Sequence, residues 1–195
     1  MQTLPPTIFK SPRLSGVLGR ISHRWLCWSG WTVVGTRPTI AKYVLVGAPH
    51  TSNWDFILFL LVAFAEGIDL HWMGKDSLFP QPLRRIMMWL GGVPINRSQS
   101  NNMVEQMIAH YRTAESLVVV ITPEGTRGKV ARWRSGFYHL AVGAGVPIVL
   151  GFLDSEERKI GFGPVLQPSG DYDSDMVTMM AFYKSKKGLK PELGL

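Results

Sequence analysis

The chain has 195 residues, 46% of them hydrophobic and 18% charged, which suits one domain able to hold a core without covalent staples. Its single cysteine, Cys27, excludes an internal disulfide and any C-x-x-C metal or redox site. An excess of 21 basic over 14 acidic residues, a net charge of +7 and a pI near 9.8 point to anionic partners: nucleic acid, anionic lipid or phosphorylated substrates.

From the N-terminus, residues 13–28 read as an amphipathic helix that starts at Pro12, just after Ser11. At about 100° per residue, Leu14, Val17, Leu18, Ile21, Trp25 and Trp28 share an arc of roughly 100°, with Arg13, Arg20 and Arg24 on one flank. The pattern suits a helix lying in a membrane interface, with residues 1–40 as a surface segment. It also suits an ordinary helix packed on the domain with its arginines in water. The longest apolar run, 56–65, is far short of the roughly 20 residues that cross a bilayer, and no secretory leader is visible. The expectation is a peripheral protein on the cytoplasmic face of a membrane.

Residues 43–47 form a β-branched and aromatic strand, after which Ser52 or Asn53 can cap a helix over 54–67. Then come a strand at 70–74, a helix at 82–90 closed by Gly91-Gly92, and a short strand at 93–96. Residues 101–113 are helical, with Met103, Met107, Ile108 and Tyr111 inward. The run LVVVIT at 117–122 is apolar on both sides, as central parallel strands are. A helix at 135–143, strands at 147–152 and 160–166, and a helix at 176–184 complete the chain. This alternation predicts an α/β domain over 41–195, with a mainly parallel or mixed central sheet flanked by helices.

His50 and Asp55 stand five residues apart. On one continuous helix that offset turns by about 140° and separates the side chains. With His50 in the loop leaving a strand and Asp55 in the first helical turn, the carboxyl can accept from one ring nitrogen and leave the other free as a base. His71–Asp76 and His110–Glu115 have similar spacing, but His71 falls inside a strand and His110 inside a helix. Only His50 occupies a strand end before a capped helix, where ligand sites of open sheets collect. A structural loop histidine is the bland alternative.

The strand at 117–122 runs into Pro123-Glu124-Gly125-Thr126-Arg127. Gly125 permits positive φ or close approach to the backbone, and the fork of Arg127 suits phosphate or carboxylate. An internal Glu124–Arg127 pair is the competing reading. Arg97, after the glycines and strand of Gly92 to Arg97, and Lys75, at the end of the second strand, are further candidate anion contacts. Asp171, Asp173 and Asp175 look superficially like a metal loop but lack the glycine and distal glutamate of a calcium hand, and are read as a helix cap.

The order of these blocks resembles the glycerophospholipid acyltransferase family, whose best-known members are 1-acylglycerol-3-phosphate acyltransferases. His50 and Asp55 match its first block, Gly92 to Arg97 its second, the intact Pro123 to Arg127 its third, and Val146 to Val149 its fourth. Pro49, Gly128 and Leu150 depart from common residues of those blocks without removing a catalytic side chain. The resemblance implies that His50, oriented by Asp55, deprotonates an acceptor hydroxyl that attacks an acyl-CoA or acyl carrier protein thioester. It assigns the acceptor phosphate to Arg97, Arg127 and Lys75, and the shaping of the pocket to Glu124, Gly125 and Thr126. It implies no metal, and no cofactor beyond the thioester co-substrate. The implied partners are acyl-CoA or acyl carrier protein, a phosphorylated lipid acceptor, and an anionic membrane surface met by residues 13–31. A thioester hydrolase at the same pair, or a lipid-surface binding protein without activity, stand as alternatives. Nucleic acid is not expected, because no basic helix is interleaved with base-stacking aromatics.

Overall fold

The computed structural model describes residues 4–95 and 100–194. Its strands are β1 (Thr32–Val34), β2 (Lys42–Ala48), β3 (Leu70–Lys75), β4 (Gly92–Ile95), β5 (Leu117–Ile121), β6 (Ile148–Asp154) and β7 (Lys159–Leu166). They form one sheet in the order β1-β7-β6-β2-β5-β3-β4, parallel throughout except for the antiparallel pair β6–β7. The predicted α/β architecture with a mixed central sheet is therefore present. β2 and β5 are buried on both faces because their β-branched runs meet helices above and below.

Helices α1 (Pro12–Trp28), α2 (Asn53–Ala65) and α3 (Arg84–Trp89) cover one face. Helices α4 (Ser100–Thr113), α5 (Gly136–Ala144) and α6 (Tyr172–Tyr183) cover the other. β2 and β5 are neighbours, yet the chain leaves β2 through α2 on one face toward β3, and leaves β5 through α5 on the other face toward β6. Open α/β sheets bind ligands at such a reversal, beside the strands' C-terminal ends.

Three differences from the sequence expectations have physical reasons. β1 was not anticipated, because three residues carry little periodic signal; it exists through parallel pairing with β7, distant in sequence. α6 starts at Tyr172, four residues before the predicted 176, because the Asp171 side chain accepts from the N–H groups of Asp173 and Ser174. That arrangement realises the cap read from the aspartate cluster, and Asp175 turns inward to accept from the Tyr138 hydroxyl at 2.7 Å. α3 starts at Arg84, after the turn that holds Pro82.

α1 is helical as expected from Pro12, but small residues turn toward the domain. Ser22 and Leu26 are buried, and a Cβ on Gly19 would stand 2.7 Å from the Phe64 carbonyl oxygen of α2. Leu14, Val17, Ile21, Trp25 and Trp28 face outward, Trp28 with 84% of its surface exposed. Of the apolar stripe only Leu18 packs partly against the core, and the other five side chains lie outward while the small-residue face meets α2. Among the described residues no helix is long and apolar enough to cross a membrane.

Candidate active site

The chain leaves β2 at Ala48 and reaches α2 five residues later, so the loop 49–52 lies over the C-terminal edge of the sheet. Ser52 caps α2: its Oγ accepts from the Trp54 N–H at 3.2 Å. Asp55, in the first turn, reaches back so that its Oδ2 accepts from the N–H groups of Thr51 and Ser52, both at 2.6 Å. This capping box folds the chain on itself, and the same oxygen stands 3.3 Å from His50 Nδ1. The five-residue offset that would separate the pair on a helix brings it together across a helix start. Nδ1 facing a carboxyl oxygen favours the tautomer that keeps Nε2 as the acceptor. The Asp55 side chain is 7% exposed and that of His50 23%, so the histidine alone reaches outward.

β5 is the parallel neighbour of β2, with Val46 opposite Ile121, which sets the Pro123–Arg127 turn beside His50. Glu124 does not line the cavity described below. It is 7% exposed, and its Oε1 accepts from the backbone N–H of His50 at 3.1 Å. Burial pushes its carboxyl up to about 7, with the His50 N–H and ring opposing the rise. Gly125 has φ +63°, and the Arg134 side chain lies so close that a Cβ there would stand 2.9 Å from its Nε. Arg127 does not pair with Glu124; its Nη1 donates to Asn53 Oδ1 at the start of α2. The two charged residues of the turn therefore serve different neighbours. One fastens the histidine loop, and the other is aimed along the mouth of the site.

Below that mouth lies a cavity of about 980 Å³, running between α2 and the sheet. Its rim carries His50, Asn53, Lys75, Thr126 and Arg127. Its depth is apolar, with Phe56, Leu60, Leu70, Trp72 and Phe162 among the walls. Gly47 and Gly151, paired across β2 and β6, also line it, and a Cβ on Gly47 would find no atom nearer than 3.9 Å. A glycine inside a strand is a readable sign that something approaches the backbone, and these two were not singled out from sequence. Nor was Asn53 recognised as the group that orients Arg127.

The structure thus brings together His50, Asp55, Lys75, Gly125, Thr126 and Arg127 around one opening, with Glu124 behind it. Arg97 lies outside the described residues. His71 is 5% exposed within β3, and burial lowers its pKa from the usual value, which separates it from the solvent-facing His50.

Comparison with known proteins bears on the family and the fold. The model of the Acyltransferase family matches residues 32–149, more than half of the chain. The chain is 27% identical over 163 residues to the 1-acyl-sn-glycerol-3-phosphate acyltransferase of Haemophilus influenzae, covering 78% of this chain and 66% of that protein. It is 24% identical over 161 residues to the protein of the same name in Escherichia coli, covering 77% of this chain and 64% of that one. It spans just under two thirds of the length of these curated relatives. The crystal structure of PlsC, the 1-acyl-sn-glycerophosphate acyltransferase of Thermotoga maritima, superposes with a TM-score of 0.58 at 15% identity. That likeness covers 88% of this chain and 77% of PlsC, and shows a shared fold. Because that family model matches residues 32–149, a span that holds His50, Asp55 and the Pro123–Arg127 turn, the chain belongs to the acyltransferase family.

Proposed function

We propose that the chain transfers an acyl group from a thioester donor, acyl-CoA or acyl carrier protein, to the hydroxyl of a lysophospholipid or related glycerol-phosphate acceptor. The observation that carries this reading is the His50–Asp55 pair at the polar rim of a deep apolar cavity. His50 Nε2 takes the acceptor's hydroxyl proton as the oxygen attacks the thioester carbon. The C–S bond breaks, and the imidazolium returns the proton to the leaving thiolate. Asp55 holds the ring and stabilises its charged form. No covalent acyl-enzyme and no metal or other cofactor enters the scheme.

The cavity, at the upper end of the usual size for ligand pockets, takes the acyl chain in its apolar depth. Lys75 and Arg127 at the rim take the acceptor phosphate, Arg127 presented by Asn53. Arg97 joins them on the strength of the family resemblance. The exposed stripe of α1, edged by Arg13, Arg20 and Arg24, holds the protein on an anionic membrane surface. The relatives' names favour 1-acylglycerol-3-phosphate as the acceptor.

The test gives purified protein a labelled acyl-thioester with and without 1-acylglycerol-3-phosphate. Label in diacyl lipid is the expected result. Free fatty acid alone would favour the hydrolase. The His50→Ala variant is expected to lose about 10²- to 10⁴-fold in transfer rate. Full transfer by that variant would remove the proposed base.

A further inference from the structure

The chain beyond α6 does not simply end on the surface. At the end of β6, the Ser155 N–H donates to the Lys187 carbonyl at 2.7 Å and the Ser155 hydroxyl to the Gly188 carbonyl at 2.6 Å. Lys186 Nζ stands 3.8 Å from the buried Asp154 carboxyl and 4.7 Å from the centre of the Phe152 ring. Leu189 packs into the core on the α2 side. Residues 186–190 are thus fixed at successive points along the C-terminal edge of the sheet.

The segment then meets the histidine loop. The Lys190 N–H donates to Thr51 Oγ1 at 3.0 Å. Gly188 is buried against the same side chain, so close that a Cβ there would stand 2.5 Å from Thr51 Oγ1 and 2.6 Å from Cγ2. Thr51 is 3% exposed and lies between His50 and Asp55. Its own N–H is one of the two donors that hold Asp55 Oδ2, the oxygen facing His50 Nδ1. A single buried residue therefore joins the two, its side chain meeting the C-terminal segment and its backbone N–H meeting the carboxyl that faces the ring.

We propose that residues 186–190 act as a strap that sets the geometry of the His50–Asp55 pair through Thr51, with Thr51 and Gly188 as positioning residues. The strap keeps the Thr51 N–H aimed at Asp55, and Asp55 in turn keeps the proton of His50 on Nδ1. Its catalytic consequence rests on the acyl-transfer reading above; its effect on the histidine does not. Catalysis of this kind is sensitive to displacements of about 1 Å, which can cost about a hundredfold in rate.

The experiment compares Thr51→Val, Thr51→Ser and Gly188→Ala in the full chain. Valine keeps the shape of Thr51 but removes the acceptor; serine keeps the acceptor but removes the methyl group. The first readout is the ¹⁵N spectrum of the His50 ring, which reports the tautomer whether or not any substrate is turned over. Thr51→Val and Gly188→Ala are expected to shift it toward a mixture of tautomers, and Thr51→Ser to resemble the wild type. The second readout is acyl transfer. Thr51→Val is expected to lower kcat about 10- to 100-fold with KM within about twofold, and serine to restore it. A His50 spectrum in Thr51→Val identical to the wild type would overturn the strap. So would a serine variant worse than valine, which would mark Thr51 as packing only. A wild type that transfers nothing would sink the acyltransferase reading, while the histidine spectrum still decides the strap.

Discussion

On the α4–α5–α6 side of the sheet, buried tyrosine hydroxyls close the structure, whereas the α1–α2–α3 side is left open in two places. Tyr183, fully buried, sets its hydroxyl within 3.1 Å of the Val46 carbonyl and 3.0 Å of that of Gly151. Tyr111 donates to the Tyr43 carbonyl at 2.7 Å and accepts from the Val119 N–H, tying α4 to two strands. Rings of Trp133, Phe137, Tyr138 and Tyr172 pack edge to face around them. The opposite side holds the 980 Å³ cavity and most of the exposed large apolar side chains. Of fifteen such side chains among the described residues, five lie on α1, two on α2 and four in the segment 78–89. One face ties down the strand ends that carry His50, and the other leaves the open space to which the proposed function assigns lipid.

The sharpest way to break this contrast is to charge both faces. Ile21→Asp combined with Trp28→Asp is expected to weaken binding to anionic vesicles by about a hundredfold or more, since each side chain offers about 1.5–3 kcal/mol on burial, about 3–6 kcal/mol for the two. The melting temperature should not move, because both residues face outward. Val177→Asp on α6, where 72% of the valine is already exposed, should leave vesicle binding unchanged. Equal losses from the two faces would erase the distinction. Deleting residues 1–40 would be a poorer test than these substitutions, because α1 buries Leu26 and packs through Gly19 on α2.

The next effect lies at the seam between the faces. Glu124 ordinarily titrates near 4.5 and is pushed up to about 7 in the fold, so between those values the folded chain holds a proton that the unfolded chain has released. Stability should therefore fall as pH rises from about 4.5 to about 7, by on the order of 2 kcal/mol. Glu124→Gln keeps an oxygen for the His50 N–H and should flatten that fall in denaturant titrations. An unaltered slope would assign it to another group.

The smallest effect contrasts addition with removal. Tyr183→Phe deletes one buried hydroxyl from the closed face and should cost about 1 kcal/mol in urea unfolding, with acyl-chain preference unchanged. Gly47→Val adds carbons to the open face and should leave stability nearly level while shifting preference toward shorter chains. Each methylene no longer accommodated forfeits about 0.8 kcal/mol. A Gly47→Val protein that unfolds easily, with unaltered chain preference, would place the acyl chain elsewhere.

Most of the fold was legible because its strands are local, strongly apolar runs, β5 above all. β1 was not, since three residues gain their structure only by pairing with a strand more than a hundred residues away. The amphipathicity of α1 was visible, but periodicity alone does not say which face turns inward. Ser22 and Gly19 decide it, because a small face admits the α2 backbone and a tryptophan face does not. At the site, the His50–Asp55 spacing and the Pro-Glu-Gly-Thr-Arg turn were readable. The bonds from Glu124 to His50 and from Arg127 to Asn53 each span 74 residues, and only the sheet order reveals them. For the same reason the Glu124–Arg127 pair, plausible from proximity in sequence, does not form.

One oxygen of Asp55 both secures the start of α2 and faces His50. On the proposed mechanism, selection on the helix and selection on the chemistry act on the same atom. In a descendant released from catalysis, drift would erase His50 first, while Asp55 would persist for the sake of the fold. Across relatives, loss of the histidine beside a retained aspartate would then be the mark of an inherited scaffold put to other use.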